Sequence, residues 1–397
     1  MVAALDKLRG EIDEILPGVV ADRRHFHENP ELGFQEFETA KIVAERLAAL
    51  GVEDIRTGIA VTGVTGLIHG TKGPGKVVLL RADMDALPIL EENAVDYRSK
   101  VDGKMHACGH DAHTAMLLGI ARVLVARKAE FAGTVKVLFQ PAEEGGGGAR
   151  VMIEEGVLTN PNVDAVFGMH MDQGSPLGTI SLRPGPALAA ADRFSVTIKG
   201  KGGHGAHPDL THDPIVIGSA IVTALQTVVA REIDPVEPAV CTVGAFIAGD
   251  AANVIPDTAI LRGTLRSFSP KVREHLAEAV ERIVTGVATT MRAEVEYVYA
   301  PGYPPTVNDA DMTAMVADIA RSVVGDEQVK EPPAMMGAED FSYFLEQKPG
   351  CFYFVGSNNE DRGLIWGHHH PRFDIDEDSM AYGMDVMVRT VLHYLDQ

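Results

Sequence analysis

The apolar positions of this chain alternate between two periods. MVAALDKLRGEIDEIL at the start carries a helical stripe, and so does Glu36 to Leu50, which stops at Gly51. Val77 to Leu80 is a short continuous apolar run of the kind a buried strand shows, and it ends in Arg81-Ala82-Asp83-Met84-Asp85. Asp111 to Lys128 is rich in Ala and Leu and predicts a long helix. Thr134 to Phe139 is strand-like and ends in Gln140-Pro141-Ala142-Glu143-Glu144, and Val163 to Met169 is a further strand ending at His170. Strands alternating with helices predict an α/β fold with a largely parallel central sheet flanked by helices. Polar residues collect at the carboxyl ends of these strands, the edge at which open α/β sheets bind ligands.

The pattern changes near Ala187. Arg193 to Lys199 alternates cleanly, Asp213 to Arg231 is helical, and Ala239 to Ile247 and Thr258 to Phe268 are strands. Ser269-Pro270 then opens a helix to about Arg292 with a capping residue and a first-turn proline, and Glu294 to Tyr299 is a last strand. The order β-α-β-β-α-β is the ferredoxin-like unit. Pro184-Gly185-Pro186 and Pro301-Gly302-Tyr303-Pro304-Pro305 bracket it as expected hinges. The expected organisation is a first domain of residues 1–187 and 303–397, interrupted by an α+β insertion of residues 188–302. After the insertion, Ala310 to Val324 and Ala338 to Gln347 predict helices, Cys351 to Val355 a strand, and the chain from about Asp376 a final helix.

Composition narrows the function classes. An excess of acidic over basic residues gives a formal charge of −21, which disfavours nucleic acid and anionic membrane surfaces as partners. The amino terminus lacks the apolar core of a signal peptide, and no run is expected to reach the length of a membrane span. Three scattered cysteines, Cys108, Cys241 and Cys351, do not make a disulfide framework, so a reducing, cytoplasmic setting is expected.

The candidate chemistry starts at Met105-His106-Ala107-Cys108-Gly109-His110-Asp111-Ala112-His113. A thiol and imidazoles this close suit a transition metal, and a thiolate can serve one ion or bridge two. Cys108 and His110 are the preferred donors there, with His106 and His113 as packed or supporting imidazoles. Glu143 and Glu144 are adjacent, so one carboxylate can bind metal while its neighbour handles a proton. The four glycines that follow allow close turns, and the absence of a following Lys-Ser or Lys-Thr disfavours a phosphate loop. His170 and one of His368, His369 and His370 add further donors. Asp83 and Asp85 fall on one side of an extended backbone, as ligands or as orienting groups. Together these residues can hold two metal ions for hydrolysis, with Glu143 passing a proton from the attacking water to the leaving nitrogen.

The ordered motifs RRHFHENPELGFQEFET, RADMDALPI, MHACGHDAHTAMLLG, QPAEEGGGGA, GMHM, KGKGGHGAHPD, NVIPD, GTLRSF, GAEDFSYF and HHHPRFDIDED resemble the M20 metallopeptidase clan. The resemblance runs end to end. Within the clan the chain is most similar to the amidohydrolase branch of hippurate hydrolases, N-acyl-amino-acid amidohydrolases and auxin-conjugate hydrolases. The resemblance implies a catalytic domain and an inserted lid that also dimerises. It implies two divalent ions per subunit, with zinc the first expectation and manganese, cobalt or nickel also admitted. Cys108 would bridge them, with His110 and His170 completing one site and Glu144 and His369 the other. Glu143 would be the general base. Asp83 would lie outside the ligand set, and Asp85 would orient catalytic groups. His204 matches a lid histidine that steadies the oxyanion across a dimer, and Asn253 and Arg266 match lid positions near the substrate carboxylate. The chain departs from the branch at Asp209 and His368, which leaves histidines His207, His212 and His368 as neighbours of both motifs.

The expected activity is hydrolysis of small N-acyl amino acids, hippurate-like or N-acetyl, to a carboxylic acid and a free amino acid by a homodimer or homotetramer. Two alternatives stand beside it. One is a dipeptidase or exopeptidase, with Glu339 as a candidate partner for a substrate amine. The other is a non-catalytic ligand-binding homologue, against which the complete site argues.

Overall fold

A computed structural model describes residues 2–397, and they divide into two compact units. The first comprises the chain up to Ala187 with Val307–Pro333 and Asp340–Gln397; the second comprises Leu188–Thr306 and Ala334–Glu339. The sequence boundary at 187/188 coincides with this division. The return falls four residues later than expected, and residues 334–339 pack with the second unit.

The first unit is built on an eight-stranded sheet in the order Glu53–Ile59, Gly63–His69, Thr134–Gln140, Val77–Asp83, Ala165–Pro176, Gly350–Asn358, Ile180–Ser181, Val329–Lys330. The four central strands, from Thr134–Gln140 to Gly350–Asn358, are mutually parallel. The first two strands join them antiparallel, so the sheet as a whole is mixed. Every residue of Thr134–Gln140 is buried, as befits a strand covered on both faces. Helices Val2–Glu28, His110–Ala126 and Ser379–Leu395 pack on one another beside the sheet. Their apolar side chains, among them Ile12, Leu117, Leu124, Val388 and Val391, share one core with Val78, Leu80, Val135 and Phe167.

Two expectations for this unit are corrected. His170 does not end its strand, which runs on to Pro176 because Gly350–Asn358 continues to pair with it past His170. The helix expected over Ala338 to Gln347 shrinks to Ser342–Leu345. Asp340 instead gives its carboxylate to Arg81, Gln140 and the Ala149 amide, and these bonds override local helical preference.

A second buried polar group locks the first helix to the metal-ligand segment. Arg23, fully buried, donates to Asp111 at 2.8 Å, Asp374 at 2.7 Å and Glu377 at 3.1 Å. His27 bonds the same Asp111 oxygen through Nδ1 at 2.8 Å and reaches Glu91 through Nε2 at 3.2 Å. Three carboxylates around one guanidinium leave few charges uncompensated in the interior.

The second unit carries a four-stranded antiparallel sheet in the order Ala239–Ile247, Thr258–Ser267, Ala190–Lys199, Glu294–Tyr303. Helices Pro214–Thr227 and Pro270–Thr290 pack against it, which is the ferredoxin-like arrangement. Ile217, Ile221, Leu225, Val280 and Val284 meet Val196, Ile198 and Leu261 in a separate core. Asp213 caps the first helix by accepting from the Ile215 amide at 2.8 Å, whereas Ser269 makes no side-chain cap bond. The expected hinge at Pro301-Gly302-Tyr303 is the end of a strand, and a Cβ on Gly302 would lie 2.0 Å from the Ala191 carbonyl oxygen. The expectation of no membrane-length run is also corrected. Pro214–Glu232 is long and apolar enough to cross a membrane by length and composition. Here its Ile217–Ile221–Leu225 face lies in the core of this unit.

Burial draws the His27 pKa down, but the bonds to Asp111 and Glu91 outweigh it and hold the imidazolium to about 9. The folded value lies above the unfolded value of about 6.5, so this stabilisation is complete below pH 6.5 and is lost as pH rises through 9. Urea unfolding of the wild type is expected to weaken by roughly 2–3 kcal/mol across that window. His27→Gln should remove most of that slope; an unchanged slope would show that other groups set it.

Candidate metal centre

Four segments of the first unit converge at the carboxyl ends of its parallel strands. The loop before His110–Ala126 brings Cys108 and His110, the strand Ala165–Pro176 brings His170, the turn after Thr134–Gln140 brings Glu143 and Glu144, and the segment before Ser379–Leu395 brings His369. Three groups of donor atoms result, each with its members within 4.8 Å of one another: Cys108 with His110 and His170, Cys108 with Glu144 and His369, and His110 with Glu143 and Glu144. Cys108 belongs to the first two. Its Sγ lies 3.5 Å from His170 Nε2, and His369 Nε2 lies 3.1 Å from Glu144 Oε1.

The histidine tautomers follow from their other contacts. His110 Nδ1 donates to the Asp85 main-chain oxygen at 2.9 Å, and His170 Nδ1 donates to the Met171 oxygen at 2.7 Å. Each ring therefore turns an Nε2 lone pair towards the cluster, the arrangement metal-binding histidines use. The fit to a metal shows in the bonds left unmade. His110 Nε2 is buried without a hydrogen bond, in a protein interior where such atoms are almost always paired, and the His369 ring is the neighbour of Glu144 Oε1. Thiolate, imidazole and carboxylate donors together suit a divalent transition ion.

The neighbouring histidines differ: His113 is paired through both ring nitrogens, whereas both ring nitrogens of His106 and Nδ1 of His368 are buried without a hydrogen bond. His113 donates from Nδ1 to Asp83 at 2.6 Å and accepts the Met171 amide on Nε2 at 2.9 Å. His106 is buried beside His27, and burial holds it neutral by pushing its pKa down to about 3. His368 accepts from the Gln173 amide at 3.3 Å and packs on Phe373, while His370 stacks on Trp366 at 4.3 Å. Of the three consecutive histidines, only His369 joins Cys108 and Glu144. It does so at φ +63°, a left-handed conformation that costs an L-residue about 1–2 kcal/mol, and its amide donates to the Ala107 oxygen at 2.8 Å.

The two aspartates after Val77–Leu80 divide the orienting work. Asp83 gives one oxygen to His113 and the other to Arg81 at 2.6 Å. Asp85 accepts the Glu143 amide on Oδ1 at 3.0 Å and the Glu144 amide on Oδ2 at 2.9 Å, with His110 Nδ1 3.3 Å from Oδ1. Glu143 is buried and its Oε1 lies 3.4 Å from the Asp340 amide. The glycine tract serves close approach: a Cβ on Gly148 would meet the Pro141 oxygen at 1.8 Å. Sequence reasoning passed over Arg81, Gln140, Asp340 and Arg23. All four lie in or beside the motifs, but only their burial and their partners distinguish them from surface charges.

In the second unit, His204 and Asn253 are exposed neighbours. The Gly205 amide donates to the Asn253 oxygen at 2.8 Å, and His204 pairs with Val254. Arg266 is elsewhere. His204 and Val254 pair in a separate two-stranded sheet, and within the four-stranded sheet Arg266 lies eight residues beyond Thr258, roughly 27 Å of strand. Asn253 and Arg266 thus lie at different sheets of the second unit.

Such a convergence of soft and hard donors at a sheet edge, with a buried carboxylate beside it, defines a metal-dependent hydrolase acting on amides. Residues 79–393 match Peptidase family M20/M25/M40, and the chain belongs to that family. It is 45% identical to the putative amidohydrolase YhaA of Bacillus subtilis (strain 168) over 98% of this chain and 99% of that protein. It is 44% identical to thermostable carboxypeptidase 2 of Saccharolobus solfataricus, covering 96% of each chain. It is also 44% identical to the IAA-amino acid hydrolase ILR1-like 4 of Arabidopsis thaliana, over 95% of this chain and 86% of that protein. Among solved structures, the Bacillus subtilis YXEP protein, described as a dinuclear metal binding peptidase from the M20 family, superimposes with a TM-score of 0.84 at 36% identity, covering 97% and 99% of the two chains.

Without metal, the donors hold protons. Hydrogen bonds to Cys108 and Glu144 raise the His369 pKa to about 10, burial pushes the Cys108 thiol up, and Asp83 and Asp85 outweigh burial to raise His110. Metal binding must displace these protons. Calorimetric titration of metal-free protein with zinc at pH 7, in buffers of different ionisation enthalpy, is expected to show release of more than one proton per protein. Release of none would mean the ion binds elsewhere.

Proposed function

We propose that this chain hydrolyses N-acyl amino acids to a carboxylic acid and a free amino acid. Cys108, shared by two donor groups beside buried Glu143, is the observation that carries the proposal. Cys108, His110 and His170 would hold one divalent ion, and Cys108, Glu144 and His369 the other. Two ions so held supply Lewis acidity to the amide carbonyl and lower the pKa of water. Glu143 takes a proton from the attacking water and delivers it to the leaving nitrogen. Asp85 keeps the Glu143–Glu144 corner and the His110 ring in register with one another, which supports its assignment as an orienting residue. His204, exposed on the lid, is the proposed imidazole donor to the developing oxyanion. The substrate amino-acid carboxylate would meet Asn253 or Arg266. Zinc is the ion proposed, and a reducing cytoplasm suits the free Cys108.

The similarity to a thermostable carboxypeptidase favours one second reading, an exopeptidase acting on peptides. Comparing an N-benzoyl or N-acetyl amino acid with the matching dipeptide decides between them. The acyl substrate should give the higher kcat/KM, and a preference for the dipeptide would move the assignment to exopeptidase.

We also propose a homodimer formed through the lid. Strand Ala239–Ile247 lies at the edge of its sheet, and Phe246, Ile247, Val254, Ile215 and Val216 are exposed apolar residues around it. Light scattering should report twice the chain mass for the wild type and a smaller species for Phe246→Arg/Ile247→Arg; a wild-type monomer would refute the lid dimer.

Glu143→Ala should retain two metal ions per chain and lose about 100- to 10,000-fold in kcat. Cys108→Ser should retain less metal after dialysis, measured by elemental analysis. Wild-type turnover in the first variant or wild-type metal content in the second would overturn the corresponding role.

A further inference from the structure

Glu36 is fully buried, yet it lies outside the donor groups and the sequence motifs gave it no task. It directly precedes the helix Phe37–Leu50 without capping it. Its carboxylate points instead into the first unit. Oε1 accepts the Ala142 amide at 2.9 Å, and Oε2 accepts the Thr62 hydroxyl at 2.6 Å. Asp85 takes the next two amides, those of Glu143 and Glu144. Three consecutive backbone N–H groups are thus held by two carboxylates arriving from different segments.

The residue at the start of this row is under conformational load. Ala142 has φ +52°, a left-handed backbone that an L-residue adopts only when its surroundings require it. The Cβ of Ala142 is hemmed in by Gly33 and Gly146, where any added Cβ would approach it to 3.0 and 2.7 Å. The direction in which Glu143 and Glu144 leave the backbone depends on this one residue's dihedral angles.

We propose that Glu36 is a positioning residue for the reaction: it locks Ala142 in its left-handed conformation and thereby aims the Glu143 and Glu144 carboxylates. The inference rests on the roles proposed for those two glutamates. Burial pushes the Glu36 carboxyl up to about 7, so a neutral amide of the same shape is a close replacement. A Gln side chain can still accept the Ala142 amide, and the Thr62 hydroxyl can turn to accept from its NH₂ group. Ala or Asp at the position cannot reach Ala142.

The test uses the full-length protein with Glu36→Gln, Glu36→Asp and Glu36→Ala, beside the wild type and Glu143→Ala. Turnover of an N-acyl amino acid, metal content and hydrogen exchange of the metal-free protein are measured. Glu36→Gln should stay within about threefold of wild-type kcat. Glu36→Asp and Glu36→Ala should lose on the order of 10- to 100-fold in kcat, with KM and metal content near wild type. In metal-free protein, the amides of residues 142–144 should exchange faster in those two variants and stay protected in Glu36→Gln. If Glu36→Ala does not fold, Glu36→Asp carries the comparison. Wild-type kcat and wild-type exchange in Glu36→Asp would overturn the proposal, as would a loss in Glu36→Gln equal to that in Glu36→Asp. An active Glu143→Ala would instead refute the general-base role, whatever the Glu36 variants do.

Discussion

The carboxylate of Asp85 ties together three of the segments that meet at this site. It sits just past the end of a central parallel strand and accepts the amides of Glu143 and Glu144, which follow the neighbouring strand. Its main-chain oxygen fixes the tautomer of His110 from a third segment. The two glutamates must leave the chain in different directions to take different jobs, and adjacent residues do so only if the backbone between them is held. A charged acceptor bonded to consecutive amides in a buried setting is a strong restraint, because charge-assisted bonds are shorter and stronger than neutral ones.

The surrounding charges extend the same restraint outwards. Arg81 connects Asp83, Gln140 and Asp340, and so ties together the ends of two parallel strands and the segment that reaches Glu143. On the other side, Arg23 joins Asp111, next to His110, to Asp374, five residues after His369. Each guanidinium is buried among carboxylates, so the cost of desolvation is met by several partners at once. The donor groups therefore rest on packed helices and strands, with left-handed residues at Ala142, beside Glu143 and Glu144, and at His369 itself.

Much of this was legible in the sequence. The central strands and the long helices follow from the alternation of periods, and the second unit from the β-α-β-β-α-β order. The motif row gave the donor residues that the fold brings together. What could not be read has physical reasons. The four central strands are parallel as expected, while the direction of the edge strands depends on pairing between distant segments. The helix around Asp340 was lost to tertiary hydrogen bonds that no local propensity records. Arg23 and Glu36 look like ordinary helix-flanking charges until burial and partners are known. The proximity of Asn253 and Arg266 in the motif order gave no hint that they lie at different sheets.

The shared thiolate is the claim on which the chemistry turns, and anomalous X-ray diffraction from zinc-loaded crystals tests it most directly. Two peaks are expected, each about 2.3 Å from Cys108 Sγ. One should be completed by His110 and His170 and the other by Glu144 and His369. A single peak, or a pair of which only one touches Cys108, would contradict the two-ion centre.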